Sequence, residues 1–347
     1  MKSNYKKLGE LIVECDVRNR DNLNVELWGV SIDKKFIKSV ANTIGTDLTK
    51  YKIVKENNFV CSLMQVSRDE KIPIDMWASN DTIIVSPAYK VFRVKDTNII
   101  LPAFMNLWFK RAEFDREASF YGVGGVRGSL EWEDFCELQL PVPEIEEQQK
   151  IVDAYSVVER RIALKRQIND NLEAQVSALF YSITCGKQPN NIFSEIASIE
   201  SGKRPNTTEQ GEYPLVGAGG IMGFINSYNY IEKILVTGRV GTHGVIQRFN
   251  DKCWASDNTL VIKSIRYEYS YQFLKKVDFS SLNRGSTQPL ITQTDLKNLP
   301  IYLPDDETIN TFEVKAEKIM LLYEKNLKEI SRLEQLQKIL VSSLAKN

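Results

Sequence analysis

The clearest pattern of apolar and polar positions lies in two long stretches that contain neither Gly nor Pro, residues 145–184 and 306–347. In each stretch apolar residues recur at every seventh position, with further apolar residues three or four positions away. This spacing on an otherwise polar helix is typical of a coiled-coil seam. The pattern predicts two helices of about 60 Å each, at 1.5 Å per residue. The predicted seam residues are Ile151, Val158, Leu172, Leu179, Ile319, Leu333 and Leu340.

Both helices belong to a longer internal repeat. Residues 125–184 match residues 286–345, which lie 161 positions later. In each copy a short apolar segment closed by proline precedes a cluster of acidic residues, and acidic side chains favour a helix N-terminus. Near the start of the chain a shift of 185 aligns Leu8 with Phe193. Two shifts of this kind predict a tandem of two related globule–helix units.

One position of the seam is polar in both copies. Lys165 occupies it in the first helix and Asn326, 161 positions later, occupies it in the second. Two interpretations stay open. Either the position is solvated and tolerated, or it fixes the register where two antiparallel helices cross.

The segments outside the helices show the turns and short apolar runs of mixed globular domains. Strands are predicted at Lys52–Val54, Phe59–Met64, Thr82–Val85 and Lys90–Val94, and a short helix at Ala103–Arg111. The fold class is therefore α+β, with two mixed α/β globules in tandem, two long antiparallel helices and a pseudo-twofold repeat. The expected boundaries are 1–137 and 188–298 for the globules, and 138–187 and 299–347 for the repeat regions with their helices.

Composition limits the classes of function. The 45 basic and 45 acidic residues give a net charge of zero, so no basic tail indicates nucleic acid. Five widely spaced cysteines without a CxxC pair indicate free thiols in a reducing compartment. No apolar run approaches a membrane span, and the N-terminus does not resemble a signal peptide. We expect a cytoplasmic protein that does not contact a membrane.

The sequence offers no catalytic or metal-binding constellation. Its one histidine, His243, has no carboxylate or cysteine close to it in sequence. The glycine-rich runs at Gly122–Gly128 and Gly217–Gly223 lack the third glycine of a dinucleotide fingerprint. The sequence SPAY (Ser86–Tyr89) has Ala88 where an amino-methyltransferase motif has a second proline. We therefore predict a protein that is not an enzyme and holds neither metal nor cofactor.

Polar and basic side chains in loops of both globules offer a different chemistry. Arg, Lys, Asn and Gln on loops are the residues that contact phosphates and base edges in DNA, although each one alone is more often solvated surface. The candidate DNA-binding residues of the first globule are Lys35, Lys50, Lys52, Arg68 and Arg127. Those of the second are Lys203, Arg204, Arg239, His243, Arg248, Asn258, Arg284, Thr287 and Gln288.

Several of these segments resemble the specificity subunit of type I restriction–modification enzymes over nearly the whole chain. The most specific are LPVPEIEEQQKIVDAYSVVERRI from Leu140 and its second copy from Leu299. In the second globule GRVGTHGVIQRF, WASDNTLVIK and NRGSTQPLITQTDLKNLPI are similar to one type of target-recognition domain. The second helix start departs from the pattern, because DDETI stands where the first copy has EIEEQQ.

The resemblance implies two target-recognition domains separated by a helical spacer. Each domain would read one short half-site of double-stranded DNA, and the spacer would fix the gap between the half-sites. Each helix would offer a docking face to one methyltransferase subunit, so two would bind, with restriction and translocase subunits in the full complex. Methylation with S-adenosylmethionine and ATP-driven cleavage would belong to those partners.

Two alternatives remain at this point. The chain could be the specificity chain of a type II system with the same recognition architecture. It could also be a non-catalytic coiled-coil scaffold whose globules bind proteins and not DNA. The type I or type II context depends on the neighbouring genes, whereas DNA affinity in the presence of the partners separates both from the scaffold.

Overall fold

The computed structural model describes residues 4–22, 25–40, 45–64, 66–122, 128–206, 209–242, 244–282 and 290–344. The chain forms two compact units. Unit 1 comprises Met1–Leu164 and Glu329–Asn347, and unit 2 comprises Lys165–Lys328. Each unit therefore contains one globule and a part of both long helices, and each is described by itself below.

Unit 1 is built from short strands, short helices, the first half of one long helix and the end of the other. Its strands are β1 (Tyr5–Lys7), β2 (Ile12–Glu14), β3 (Leu27–Val30), β4 (Phe36–Lys38), β5 (Lys52–Val54), β6 (Phe59–Cys61), β7 (Ile74–Met76), β8 (Ile83–Val85), β9 (Lys90–Val94) and β10 (Gln139–Pro141). Its helices are α1 (Leu8–Leu11), α2 (Val66–Asp69), α3 (Pro102–Phe109), α4 (Ala112–Tyr121), α5 (Trp132–Glu137) and the start of α6 (Ile145–Thr184).

Two four-stranded sheets form the body of this globule. The first has the order β2-β9-β6-β7 with antiparallel neighbours throughout. The second has the order β4-β3-β8-β5, in which β3 and β8 run parallel. A cluster of buried aromatic rings packs α3, α4 and α5 against the first sheet, because each ring removes a large apolar area from water. Its fully buried members are Phe59, Phe92, Phe104, Phe109, Phe114 and Phe135.

Unit 2 contains the second globule and the remaining parts of both long helices. Its strands are β11 (Asn191–Ile192), β12 (Ala197–Ser201), β13 (Gln210–Gly217), β14 (Gly220–Ile225), β15 (Ile234–Gly238), β16 (Gln247–Phe249), β17 (Trp254–Ala255), β18 (Thr259–Ser264) and β19 (Pro300–Ile301). Its helices are α7 (Tyr267–Leu274), α8 (Gln293–Lys297) and most of α9 (Asp306–Ser343).

The sheets of unit 2 repeat those of unit 1. One sheet has the order β12-β18-β15-β16 with antiparallel neighbours, as the sheet β2-β9-β6-β7 has. The other has the order β14-β13-β17 with a parallel β13–β17 pair, which corresponds to β4-β3-β8. Equivalent elements also begin 161 positions apart. The pairs are α5 at Trp132 with α8 at Gln293, β10 at Gln139 with β19 at Pro300, and α6 at Ile145 with α9 at Asp306. The predicted internal repeat is confirmed.

Both long helices are continuous, as the sevenfold pattern predicts. In unit 1 the seam residues Val158 and Ile162 pack against Ile330, and Arg161 forms an ion pair with Glu329. In unit 2 Leu172 is buried, and Val176 and Phe180 join the core of the globule. The structure thus confirms a helical seam whose side chains face other parts of the chain.

The polar seam position is a hydrogen-bonded crossing. Lys165 Nζ donates to Asn326 Oδ1 at 2.8 Å, and Asn326 Nδ2 donates to Asn169 Oδ1 at 2.9 Å. Asn169 Nδ2 donates to the carbonyl of Tyr323 at 3.2 Å. Residue numbers therefore rise along one helix while those of their partners fall along the other, as they do between antiparallel helices. Asn326 is 2% exposed. Of the two sequence interpretations, the solvated position is wrong for Asn326, and the fixing of the register stays a prediction.

The two helix starts differ for a physical reason. Gln148 is fully buried, and its side chain bonds the Leu101 amide at 2.8 Å and the carbonyls of Ile99 and Pro143 at 3.0 and 2.8 Å. It therefore joins the start of α6 to the start of α3. The equivalent residue 161 positions later is Ile309, which is buried in the apolar core of unit 2. The second copy departs from the sequence motif because an apolar contact replaces the glutamine bridge.

Candidate nucleic-acid interface

One edge of the main sheet in unit 2 gathers most of those candidate DNA-binding residues of the second globule that lie within the described ranges. The pairs Ser201–Leu260 and Gly238–Thr259 place the ends of β12 and β15 beside the start of β18. The loops at this edge carry four of the candidate DNA-binding residues of the second globule. These are Lys203, Arg204, Arg239 and Asn258.

Backbone contacts hold three of these residues, Lys203, Arg239 and Asn258, and all four are exposed or half-buried. The Lys203 amide donates to the Ala255 carbonyl at 2.9 Å, and the indole of Trp254 donates to the Lys203 carbonyl at 2.7 Å. The Arg239 amide donates to the Asn258 carbonyl at 2.8 Å. A loop fixed through its backbone in this way loses little conformational entropy on binding a ligand.

Two glycines allow the loops to approach this closely. A Cβ on Gly202 would lie 2.1 Å from the Ser256 carbonyl oxygen, and a Cβ on Gly238 would lie 1.9 Å from the Thr242 carbonyl oxygen. Both distances are far below van der Waals contact, so no larger residue fits without moving the backbone. Gly202 precedes Lys203, and Gly238 precedes Arg239. These two glycines therefore let the loops that carry the cations pack closely against the neighbouring backbone.

Arg248 has a different environment from the other candidates in unit 2. Its side chain is 8% exposed and makes two hydrogen bonds to Glu268, at 2.6 and 2.7 Å, and one to Glu324 at 3.1 Å. Burial lowers the pKa of the guanidinium, but the hydrogen bonds and charge of Glu268 outweigh it, so the pKa lies above its ordinary value. The guanidinium also lies over the rings of Tyr267 and Tyr271. This geometry argues against the predicted DNA contact, because the ion pairs of Arg248 join β16 with α7 and α9.

The corresponding edge of unit 1 has the same construction. There β2 ends beside the start of β9, because Glu14 pairs with Phe92. The turn that leads into β9 closes with the Tyr89 amide bonded to the Ser86 carbonyl at 3.1 Å. The turn that leads into β18 closes in the same way, from Thr259 to Ser256 at 3.1 Å. The sequence SPAY is thus a turn at the sheet edge.

A basic cleft opens at this edge of unit 1, and its volume is about 570 Å³. Arg18, Arg20, Thr49, Lys50 and Pro87 line it. One Arg18 nitrogen donates to the Lys50 carbonyl at 2.8 Å, and another donates to Asp16 at 2.9 Å. The hydrogen bond from Arg18 is the main cause that holds the pKa of Asp16 below its ordinary value, so this carboxylate stays ionised.

Sequence reasoning identified Lys50 in this cleft but missed Arg18 and Arg20. The repeat itself carries the missing signal. Strands β2 and β12 begin at Ile12 and Ala197, 185 positions apart, and Arg18 and Lys203 are separated by the same 185 positions. Lys203 is a predicted DNA-binding residue, so applying the same shift of 185 positions to it identifies Arg18 as a DNA-binding candidate.

The remaining candidates of the first globule are scattered. Lys35 is exposed, and Arg68 is exposed and bonds Asp69 at 2.8 Å. Lys52 is only 4% exposed, and its Nζ lies 3.3 Å from Asp16 Oδ1. Its side chain is therefore buried within the globule, which argues against a DNA contact. Five candidates lie outside the described residues, and the structure places none of them. They are Arg127, His243, Arg284, Thr287 and Gln288.

The predicted seam residues Ile151, Val158, Leu172, Leu179, Ile319, Leu333 and Leu340 are all buried or half-buried. A partner that docks on the helices must therefore use other side chains. In unit 1 Val157 and Leu164 are exposed on α6, seven residues apart, and in unit 2 Val314 and Leu321 are exposed on α9 with the same spacing. Each pair lies on one side of its helix, because seven residues make about two turns.

Two kinds of functional feature are absent from the described residues. No helix there is long and apolar enough to cross a bilayer. Within the same ranges, no three His, Cys, Asp or Glu side chains gather as a metal site would require.

The sequence matches one known family model over most of its length. The model describes the type I restriction modification DNA specificity domain, and it matches residues 12–174 and again residues 193–339. The two matched segments correspond to the two copies of the repeat. No curated protein matches the sequence.

Three of the solved structures that are similar to this chain match it over nearly its whole length. The S subunit of the type I restriction–modification system from M. genitalium is 14% identical, with a TM-score of 0.64 over 99% of this chain and 96% of that one. A chain from a study of complex assembly in the type I R-M system is 15% identical over 99% and 98% of the chains, with a TM-score of 0.46. The HsdS subunit from Thermoanaerobacter tengcongensis is 15% identical over 98% and 95%, with a TM-score of 0.38. Only the first similarity is close enough to support the fold.

Proposed function

Because the chain belongs to the family of type I restriction–modification specificity subunits, we propose that each globule reads one half of a bipartite DNA site. The observation that carries the proposal is the repeated sheet edge. In both units the first strand of the main sheet ends beside the start of its neighbour, and exposed cations follow. Cations and amides on backbone-fixed loops supply the phosphate and base contacts that recognition requires.

The two half-sites differ in sequence. The sheets repeat, but the side chains at their edges do not, since Lys203 and Arg204 in unit 2 correspond to Arg18 and Asn19 in unit 1. Unit 1 also has strand β5, which has no counterpart in the sheets described for unit 2. A site read by two unlike surfaces is asymmetric.

The long helices set the gap between the half-sites and dock two methyltransferase subunits, one on each copy of the repeat. The exposed pairs Val157/Leu164 and Val314/Leu321 supply apolar contact area for this docking. Restriction and translocase subunits join the same assembly. Methyl transfer and cleavage belong to the partners, and this chain selects the site.

A net charge of zero agrees with shared DNA binding. Phosphate contacts supply most of the sequence-independent affinity of a DNA-binding protein, and they require a surplus of cations. Between residues 201 and 290 the chain carries 11 basic and 7 acidic residues, a small surplus. The methyltransferase subunits therefore contribute a large part of the phosphate contacts.

Two other functions are separated by experiment. A type II system with the same specificity architecture differs in the neighbouring genes, which would lack a separate translocase subunit. A DNA-free scaffold would show no DNA affinity even with its partners bound.

The test is methylome sequencing of a host that lacks restriction–modification systems and expresses this chain with its neighbouring methyltransferase. We expect a bipartite methyladenine motif with a fixed gap, which disappears when this chain is omitted. Replacing residues 191–290 by those of a related chain should then change one half of the motif only. An active methyltransferase without any chain-dependent motif would contradict the proposal and favour the scaffold.

A further inference from the structure

The basic cleft of unit 1 has the charge of an anion-binding site. Arg18, Arg20 and Lys50 contribute three positive charges, and Lys52 adds a fourth just behind Arg18. Two carboxylates lie close to these cations. Asp16 contacts Arg18 and Lys52, and Asp47 lies 3.7 Å from Lys50. If both carboxylates are charged, the four cations exceed them by two positive charges.

The cleft is also preorganised by contacts within the chain. The two hydrogen bonds of Arg18, to Asp16 and to the Lys50 carbonyl, fix its guanidinium against the wall. The 3₁₀ turn at Leu48–Lys50 is capped by Asp47, whose carboxylate accepts the Thr49 amide at 3.1 Å. Among the described residues Arg20 makes no ion pair, and its side chain is exposed. One cation is therefore oriented and another remains available for a ligand.

The repeat indicates which kind of anion the cleft takes. Arg18 follows β2 as Lys203 follows β12, and the turn at Ser86–Tyr89 borders the cleft through Pro87, as the turn at Ser256–Thr259 borders Lys203. The cleft thus lies at the sheet edge that corresponds to the candidate interface of unit 2. Its ligand belongs to the same molecule that this edge contacts.

We propose that the cleft lined by Arg18, Arg20, Thr49 and Lys50 binds a backbone phosphate of the DNA beside the first half-site. The inference rests on the proposed function. A phosphodiester carries one negative charge and unesterified oxygens that accept from guanidinium and ammonium groups. Contacts to phosphate position a protein on the duplex and carry no sequence information directly. The cleft therefore raises affinity and fixes the register of unit 1, while other residues read the bases.

The experiment uses the complex of the full chain with its methyltransferase and a duplex that carries the methylated motif. Affinity is measured by fluorescence anisotropy from 50 to 300 mM salt for wild type, Arg20→Gln, Lys50→Gln and the double variant. Lys55→Gln is the matched control, because Lys55 is exposed and follows the opposite end of strand β5. Arg18 is kept, since its bonds support the loop.

We expect about tenfold weaker binding for each single variant, the usual effect of losing one hydrogen bond to a charged group. The slope of log K against log salt should fall by about one for the double variant if one phosphate occupies the cleft. The methylated motif should stay the same. The Lys55→Gln complex should bind like wild type.

A neutral backbone identifies the phosphate class directly. Methylphosphonate linkages, which remove the charge, are introduced one at a time on both strands flanking the first half-site. At one of these positions the substitution should weaken binding of wild type but not of the Arg20→Gln/Lys50→Gln variant. A changed motif in the double variant would show base contact and overturn the phosphate assignment. Unchanged affinity and slope in that variant would overturn the site itself.

The two levels of the proposal fail in different ways. A wild-type complex that neither binds DNA nor methylates a motif contradicts the proposed function. A wild-type complex that does both, beside a double variant that matches it, contradicts only the cleft. Thermal melts of every variant guard against a folding defect, and both substituted side chains are exposed, so the melts should agree within about 2 °C, as for typical surface changes.

Discussion

At the scale of single residues, a buried cation shows how sequence and structure disagree. Arg248 lies in a loop-like run of polar residues, GRVGTHGVIQRF, and its side chain type fits a base or phosphate contact. The structure instead surrounds it with Glu268, Glu324 and two tyrosine rings. The sequence around Arg248 does not predict these ion pairs, because Glu268 and Glu324 are 20 and 76 positions away.

Removing one partner of this network should destabilise unit 2. Arg248→Ala leaves the Glu268 carboxylate, which is 3% exposed, without its main partner. Breaking a buried ion pair in this way costs about 3–5 kcal/mol. The double variant Arg248→Met/Glu268→Gln removes both charges and should recover most of that loss. The measurement is urea unfolding followed by circular dichroism.

The control is the methylated motif of the Arg248→Met/Glu268→Gln variant. If Arg248 only stabilises the globule, the motif and its gap stay as in wild type. A relaxed or altered base in the second half-site, with normal stability, would return Arg248 to the DNA interface and contradict the structural assignment.

At the scale of elements, the sequence predicted the helices well and the sheets only in part. Helices α6 and α9 were predictable because one sevenfold apolar pattern persists over their whole length. Strands β5 and β9 were predicted with the observed bounds, whereas β6 is shorter than the predicted Phe59–Met64. The order of strands in a sheet was not predictable, since pairs such as β2 and β9 join residues about 80 positions apart, a separation that no local pattern records.

The polar crossing of the helices should specify register more than it stabilises. Asn326→Leu removes the hydrogen bond that Asn326 accepts from Lys165 and the one that it donates to Asn169 Oδ1, which costs about 1–3 kcal/mol. Replacing Lys165, Asn169 and Asn326 together by leucine makes the seam apolar and should restore stability. Spin labels on the exposed residues Arg166 and Leu327 should then report a broader distance distribution than in wild type.

The broader distribution is the decisive result for this crossing. A triple variant that is stable and has the wild-type distance would show that packing alone fixes the register. Leu172→Asp serves as the control for general loss of the seam, because it places a charge at a position that is 8% exposed and should lower stability without any recovery.

At the scale of the whole molecule, the internal repeat is the feature that the sequence revealed most completely. Matching sheet orders and element starts 161 positions apart confirm it. The candidate interface was only partly predictable. Surface cations such as Lys203 and buried ones such as Lys52 carry the same local signal, and only the tertiary fold separates them. Comparing equivalent positions of the two copies identifies some interface residues that a single position does not reveal. Arg18, which is equivalent to Lys203, is an example.

A chain of zero net charge predicts a distinctive salt dependence for DNA binding. Each phosphate that a protein neutralises adds about 0.9 to the slope of log K against log salt. The isolated chain offers few surplus cations, so its slope should be small and its affinity low. Assembly with two methyltransferase subunits should steepen the slope by several units and raise the affinity together. Anisotropy titrations of the same duplex from 50 to 300 mM salt, with and without methyltransferase, measure both quantities. A slope for the isolated chain that equals that of the complex would mean that this chain makes the phosphate contacts alone, and the division of labour between recognition and backbone binding would be wrong.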